Sequence, residues 1–412
     1  MPFSEVTFAS SNCKKMKKTK LYVAITLVLT QTISWAQDTI VISKKEIINK
    51  AADKNLQIKI ADQSFKAAQA DYRQSNALFL PSITASHTGI STTNPLMAFG
   101  SKLNQEILTQ ADFNPALLNN PARTQNFATK IEILQPLINI DGYYGRQAAK
   151  AKMEAFQFQT ERTKEYLELE INKAYMQLQL AYKAVTVLNK ANTTALSNLQ
   201  VVNNYFKQGM LQKTDVLTVE VRVNEIKNQL QYAKSNVQNA SDYLAFLINE
   251  DLSNSVFKPL EALENSINTI TTNPLLSGDR KDLLAMDQSV KAYEKMAQSS
   301  QMNFLPRLNA FGSYELYDKN ILGMGASGYL VGAQLSWNVF DGYKSIGKME
   351  KAKAEHQKSS IENQQYKAQS QIELNKTNRQ LKDSENKVGL AQLALQQSEE
   401  AYRIRNNRFQ QG

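Results

Sequence analysis

The stretch LELEINKAYMQLQLAYKAVTVLNKANTTALSNLQVVNNYF, residues 167–206, decides the fold of this chain. Its apolar side chains recur in alternating steps of four and three residues, which is the spacing of a coiled-coil seam. The seam consists of Leu167, Ile171, Ala174, Leu178, Ala181, Val185, Leu188, Asn192, Ala195, Leu199, Val202 and Phe206. Neither proline nor glycine occurs between Arg146 and Gln208, so the pattern predicts one long helix over residues 142–206.

A second seam follows a short turn at Gly209. Its members have the same spacing and predict a return helix over residues 212–250. They are Val216, Val219, Val223, Ile226, Leu230, Ala233, Val237, Ala240, Leu244 and Leu247. Two seams joined by a short glycine turn predict an antiparallel helical hairpin. The fold class is therefore expected to be mainly α, with long antiparallel coiled-coil helices and a small β part.

The same unit occurs twice along the chain. Three landmarks recur in order: Leu80-Pro81 and Leu305-Pro306, Asp141-Gly142-Tyr143 and Asp341-Gly342-Tyr343, and the Phe-x-x-Gly motifs that end at Gly209 and Gly412. They predict a first repeat (37–250), a linker (251–279) and a second repeat (280–412).

Each repeat is expected to contain a helix, a strand hairpin and a long helix. In the first repeat these cover residues 44–79, 82–139 and 142–206. In the second repeat the hairpin covers 307–340 and the long helix 342–409, and no return helix follows. We therefore expect the natural gene to continue past Gly412.

The first 36 residues predict a signal peptide, although an N-terminal membrane anchor is an alternative. Lysines between Lys14 and Lys20 precede the apolar run Leu21–Leu29, and Ser34-Trp35-Ala36 fits a cleavage site. Either Met1 or Met16 is the start of the chain. Cys13 is the only cysteine, so the mature chain has neither disulfides nor thiolate metal sites.

Composition argues against several classes of function. The net charge of +10 is spread thinly and forms no basic patch with aromatics, so we expect no nucleic-acid binding. The two histidines, His87 and His356, are far apart, so we expect no metal and no cofactor. Asp141-Gly142 and Asp341-Gly342 are interpreted as helix caps rather than catalytic aspartates. The chain is expected not to be an enzyme. No 18-residue apolar run follows the signal, which argues against an inner-membrane transporter.

Residues 328–340 alternate between apolar and mostly polar side chains, as a tilted barrel strand with lipid outside and water inside would. Residues 126–135 alternate likewise, and residues 82–93 and 307–318 do so more weakly. The side chains predicted to line the lumen are Lys130, Glu132, Gln334, Ser336 and Asn338. A soluble sheet packed on helices is the alternative.

Four strands do not close a membrane barrel, which starts at about eight strands. Open edges in lipid leave backbone groups unpaired at a cost of several kcal/mol each. The barrel must therefore be shared between chains. Two copies give about eight strands, whose interior side chains fill, and three copies give about twelve strands with room for a passage.

Several short motifs together resemble the TolC family of outer-membrane efflux proteins across residues 37–412. They are Ala51-Ala52-Asp53-Lys54-Asn55, Leu80-Pro81, the run from Asn94 to Gln105, Gln135-Pro136-Leu137, Arg280-Lys281-Asp282-Leu283 and the two Phe-x-x-Gly turns. Each motif is weak by itself, and their order along the chain is specific.

The resemblance implies a homotrimer with a shared, twelve-stranded transmembrane β-barrel and a periplasmic α-barrel. Its location would be the outer membrane of a Gram-negative bacterium, in contact with outer-membrane lipid. It would passively conduct substrates from a periplasmic adaptor protein and an inner-membrane pump, in a tripartite efflux or type I secretion system. Drug, metal and protein substrates all remain open.

The resemblance also assigns parts of the chain. The linker corresponds to the family's equatorial belt, and the turn after the first long helix would contact the adaptor. The turn residues are Gly209, Met210, Leu211, Gln212, Lys213 and Thr214. The family's gating residues follow the second long helix, where this sequence stops at Gly412. A cell-surface structural or adhesive coiled-coil protein without transport activity is the alternative function.

Overall fold

A computed structural model of the protein describes residues 38–251, 255–263 and 275–411. The predicted signal peptide and parts of the predicted linker lie outside the described residues. The described chain is mainly helical with a small β part, which confirms the predicted fold class. In chain order its elements are β1 (Asp38–Ile42), α1 (Lys44–Lys54), α2 (Leu56–Gln74), β2 (Ser82–Thr92), α3 (Pro95–Asn104), α4 (Pro115–Asn119), β3 (Thr124–Ile138), α5 (Ile140–Lys207), α6 (Lys213–Ile248), β4 (Ser255–Pro259), α7 (Lys281–Met302), β5 (Arg307–Asp318), β6 (Ala326–Ser336) and α8 (Lys344–Gln411).

The chain forms two compact units. One comprises the described residues up to Asn55 together with those of 168–264, and the other comprises those of 56–167 and 265–412. This division does not follow the two sequence repeats, which stay a prediction.

In the first unit, the second part of α5 and helix α6 form a helical hairpin around the two predicted seams. Leu178 and Leu244 are fully buried, and so is Val216 at the start of α6. Nearer the turn, Ala195 packs with Val223 and Ile226 in one apolar cluster. Most seam residues are thus buried or half-buried, because their spacing places them on one side of each helix.

A short parallel pair of strands completes the first unit. β1 pairs with β4, with Asp38 opposite Ser255 and Ile42 opposite Pro259. Phe257 of β4 is fully buried, and its amide donates to Oγ of Ser241 on α6 at 2.6 Å. This hydrogen bond attaches the β4 part of the predicted linker to the return helix.

The helix predicted over 44–79 is interrupted at Asn55, so the prediction of one continuous helix is wrong. Asn55 has an extended backbone (ψ 131°) and ends α1, and α2 begins at the next residue. The Asn55 side chain is buried, and its Nδ2 donates to the carbonyl of Leu247 at 2.7 Å. This long-range hydrogen bond is lost if the backbone of Asn55 continues the helix.

The second unit contains a four-stranded antiparallel sheet in the order β2-β3-β5-β6. β2 and β6 are therefore its edges, and each is eleven residues long. The pairing of β3 with β5 shifts register between Pro136 and Ile138, where proline has no N–H to donate.

The strand predicted over 328–340 ends earlier than expected, at Ser336. Trp337 follows, and its indole Nε1 donates to the carbonyl of Phe304 at 2.9 Å. The described helices include none that combines the length and the apolar character of a membrane-crossing helix.

Replacing Ser241 by alanine removes the acceptor for the amide of Phe257. Because that buried N–H would then have no partner, we expect Ser241→Ala to destabilise the first unit by about 1–3 kcal/mol. The measurement is the midpoint of thermal unfolding in detergent, followed by circular dichroism.

Ser235→Ala is the matched control on the same helix. Ser235 is exposed, and its Oγ donates only to the carbonyl of Gln231 one turn earlier, at 3.2 Å. We expect an unchanged midpoint for this variant. Equal midpoints for both variants would contradict the role given to Ser241.

Candidate functional site

The sheet of the second unit has one face with polar and charged side chains and one that is mainly apolar. Register places Lys130 of β3 between Ser86 of β2 and Glu315 of β5. The neighbouring position, Ile131, lies opposite Ala85 and Tyr314 on the other face. The alternation in the sequence therefore corresponds to two chemically different surfaces.

A charged cluster lies in the middle of the polar face. Lys130 Nζ is 3.1 Å from the Glu132 carboxylate and 3.5 Å from that of Glu315. Tyr317 donates a hydrogen bond from its hydroxyl to Glu315. The structure thus brings together two predicted lining residues, Lys130 and Glu132, with Glu315, which the sequence pattern did not predict to line the lumen.

Two further predicted lining residues lie on this same face. Gln334 is opposite Asn309, and Ser336 is opposite Arg307. Asn338 is different, because β6 ends at Ser336, so its assignment to the strand is wrong. Arg307 also forms an ion pair with Asp141.

Large apolar side chains on the opposite face remain exposed in the single chain. Tyr329 is 79% exposed, Val331 70% and Leu335 67% on β6 alone. Ile131 and Ile83 continue this surface across β3 and β2. A patch of this kind marks contact with lipid or another apolar partner.

The turn after α5 has the backbone of a glycine-dependent helix end. Gly209 has φ +76°, and its amide donates to the carbonyl of Phe206 at 3.0 Å. Met210 is 68% exposed, and its amide donates to the carbonyl of Tyr205 at 2.9 Å. Left-handed backbone at this position favours glycine, which has no Cβ.

The beginning of α6 completes that turn. The Asp215 carboxylate accepts from the amide of Gln212 at 2.9 Å, as expected for first-turn capping. Lys213 Nζ lies 5.8 Å from the centre of the Phe206 ring across the turn. Leu211 is half-buried, and Gln212, Lys213 and Thr214 are exposed. The six predicted contact residues are therefore contiguous and mostly accessible.

The two Asp-Gly motifs behave differently. Asp341 accepts from the amide of Ser345 at 3.1 Å and caps α8, as predicted. At the start of α5, the amide of Gly142 instead donates to the side chain of Asn139 at 3.0 Å. Asp141 binds Arg307, so its assignment as a cap is wrong.

A polar cluster joins α5 to the linker in the first unit, with Tyr175 and Gln179 buried and Glu261 exposed. The hydroxyl of Tyr175 donates to the Glu261 carboxylate, and Gln179 Nε2 donates to the Glu261 carbonyl at 2.9 Å. Burial, together with the hydrogen bond to Glu261, raises the pKa of Tyr175 to about 12. The hydrogen bond from Tyr175 keeps the pKa of Glu261 below its usual range. The pair therefore joins α5 to the linker and is not arranged for proton transfer near neutral pH.

A groove of about 1050 Å³ in the second unit is lined in part by a half-buried acid, Asp282. Tyr366 donates to Asp282 at 2.7 Å, and Arg280 Nε donates at 3.1 Å. Burial by itself would raise the pKa of Asp282, but these hydrogen bonds outweigh it and lower the pKa to about 2. Asp282 is therefore ionised and joins α7 to α8. The described residues contain no group of three His, Cys, Asp or Glu side chains that could hold a metal ion.

Comparisons with known proteins agree with this arrangement. The model of a family described as outer membrane efflux protein matches residues 47–250 and 275–412. The outer membrane protein VceC of Vibrio cholerae has a similar structure, with 14% identity and a TM-score of 0.73 over 90% of this chain and 86% of that chain.

Two further solved structures share the fold. One is CusC, whose structures were described in terms of folding and transmembrane channel formation. It has 14% identity and a TM-score of 0.66 over 84% of this chain and 77% of its own. The CmeC outer membrane channel of Campylobacter jejuni has 15% identity and a TM-score of 0.65 over 78% and 67%. No curated protein matches the sequence.

Valine at position 209 tests the turn. No atom lies within 4 Å of a Cβ built there, so the cost arises from the left-handed backbone alone, about 1–2 kcal/mol. We expect Gly209→Val to rearrange the turn and to reduce crosslinking to the adaptor that the resemblance implies, with normal membrane insertion.

Gly389→Val is the control for this variant. Gly389 lies within α8, has equally open space and needs no left-handed backbone. It should crosslink like the wild type. Normal drug tolerance and normal adaptor crosslinking in a Gly209→Val strain would refute the role of the turn.

Proposed function

This chain belongs to the outer membrane efflux protein family, and from that premise we propose that three copies of it close one transmembrane pore. The observation that carries the proposal is the sheet of the second unit, with two open edges and one exposed apolar face. In lipid, unpaired backbone groups cost several kcal/mol each, so spanning sheets close into barrels.

The two edge strands of this sheet, β2 and β6, match in length and direction. β2 and β6 are both eleven residues long. Every neighbouring pair in the sheet is antiparallel, so β6 of one copy and β2 of the next would also run antiparallel. Pairing these edges leaves neither end of the assembly open. The contact is heterologous, and repetition by rotation closes it into a ring.

The number of copies follows from the size of the barrel. Two copies give about eight strands, whose interior is filled by side chains, whereas three give about twelve with room for water and solutes. Lys130, Glu132, Gln334 and Ser336 would then face the water, and Tyr329, Val331 and Leu335 the lipid.

The proposed mechanism is passive conduction of substrates out of the cell. A periplasmic adaptor and an inner-membrane pump deliver the substrate, and the turn from Gly209 to Thr214 contacts the adaptor. The pump would supply the energy, and the channel would provide the passage through the outer membrane. Two carboxylates have structural contacts: Asp282 joins α7 to α8, and Glu261 joins the linker to α5.

Adjacent substitutions on β6 test which face contacts lipid. An arginine facing lipid costs about 2–4 kcal/mol at the bilayer midplane and less towards the strand ends, whereas one facing the lumen is hydrated. We expect Leu335→Arg to reduce the yield of heat-modifiable trimer on detergent gels and Gln334→Arg to leave it close to the wild type.

The two variants differ by one position along the same strand, so each controls for the other. Equal loss of trimer from both would contradict the proposed orientation of the sheet. Greater loss from Gln334→Arg would reverse the two faces.

A further inference from the structure

The long loop between β2 and β3 folds back onto the polar face of the sheet. Its helix α3 packs against β3 and β6. Gln105, just after α3, is buried, and its Nε2 donates to the carbonyl of Gln125 at 2.8 Å and to Oδ1 of Asn126 at 2.7 Å. Asn126 lies four positions before Lys130 on β3 and therefore on the same face. Ala326 of β6, also buried, lies on this face too, opposite Tyr317.

The rest of the loop holds α3 in this position. Lys102 of α3 forms an ion pair of 2.7 Å with Asp112, which also accepts from the amide of Thr109 at 2.8 Å. The hydrogen bond from Lys102, with those from Thr109, lowers the pKa of Asp112 to about 2, so this ion pair persists over the physiological pH range. Phe99 and Phe113 pack edge to face at 5.7 Å. The loop is therefore a folded element with its own contacts.

The outer side of α3 is apolar and exposed. Ala98 and Ser101 are buried against the sheet, as is Gln105. Leu96 is 81% exposed and Leu103 56%, and they lie seven residues apart, two helical turns, on the opposite side of the helix. This apolar row points away from the sheet and is largely exposed in the single chain.

The proposed barrel determines what these leucines would meet. Twelve strands spaced about 4.8 Å apart and tilted by about 40° give a barrel roughly 24 Å across between backbones. Three helices, each about 10 Å wide with side chains, fit together only in a circle about 22 Å across. Three α3 helices on the inner face would thus nearly fill the mouth of the pore, with their outer sides towards its axis.

We propose that the three α3 helices of the assembly meet through Leu96 and Leu103 and form an apolar constriction at the outer mouth of the pore. The exposed side of α3 would thus pack against the α3 helices of the other two copies. This inference rests on the proposed trimer. An apolar ring resists wetting and limits the passage of ions and polar solutes until α3 moves. Polypeptide substrates would need α3 to leave the polar face.

Single cysteines test the meeting of the helices in the full chain. With Cys13→Ser in place, Leu103→Cys should give disulfide-linked copies in outer-membrane trimers under mild oxidation. Tyr329→Cys is the control, because this side chain is more exposed than Leu103 in the single chain but lies on the apolar face of β6, directed away from the polar face. It should remain uncrosslinked.

Conductance in planar bilayers tests the constriction itself. We expect Leu96→Asn with Leu103→Asn to raise single-channel conductance roughly twofold or more, because polar side chains let water into the ring. Leu117→Asn, in the same loop but on α4 and 51% exposed, should conduct like the wild type. Oxidation of the Leu103→Cys trimer should lower conductance, and reductant should restore it.

The outcomes separate this inference from the proposed function. Conducting trimers that give no crosslink at position 103 and no conductance change with asparagine would overturn the constriction and leave the trimeric pore intact. Absence of trimers in the wild type would instead overturn the proposed pore, and the constriction with it.

Discussion

The proposed pore depends first on the free backbone groups at the two open edges of the four-stranded sheet. Water can pair the free N–H and C=O groups of β2 and β6, but hydrocarbon cannot. The edges have equal lengths and run antiparallel to each other, so in the proposed assembly a second copy would supply the partner that each edge lacks. With the edges paired in this way, the polar face would enclose water and the apolar face would contact lipid.

The helical part depends on a different interaction, the burial of apolar seams. α5 and α6 leave Leu178, Val216 and Leu244 without exposed surface, and each such side chain contributes about 1.5–3 kcal/mol by leaving water. Polar contacts then fix the linker at one place on these packed helices. Ser241 holds the amide of Phe257, and Tyr175 holds the carboxylate of Glu261, so the linker strand has a defined place on the hairpin. In this unit the apolar seams therefore stabilise the hairpin, and the hydrogen bonds determine where the linker lies on it.

Periodic features were predictable from the sequence, and single long-range hydrogen bonds were not. The coiled-coil spacing predicted the long helices, and the alternation on β6 predicted its two faces, because both depend on near neighbours. The helix break at Asn55 depends on a hydrogen bond to a carbonyl 192 residues away. Asp141 does not cap its helix because it pairs with Arg307, which lies 166 residues away. The β1–β4 pair was missed for the same reason. Asn338 was misplaced because Trp337 leaves the strand for a contact that alternation does not encode.

Crosslinking across the paired edges tests the shared pore most directly. His87 and Val331 are central in β2 and β6 and lie on the apolar face, so His87→Cys with Val331→Cys in one chain allows a short bismaleimide to join neighbouring copies. We expect covalent species that end at the trimer, and no crosslinks from either single substitution, because each edge of the sheet would meet the opposite edge of the next copy. Dimers from a single substitution, or a ladder that continues beyond three copies, would contradict the shared pore.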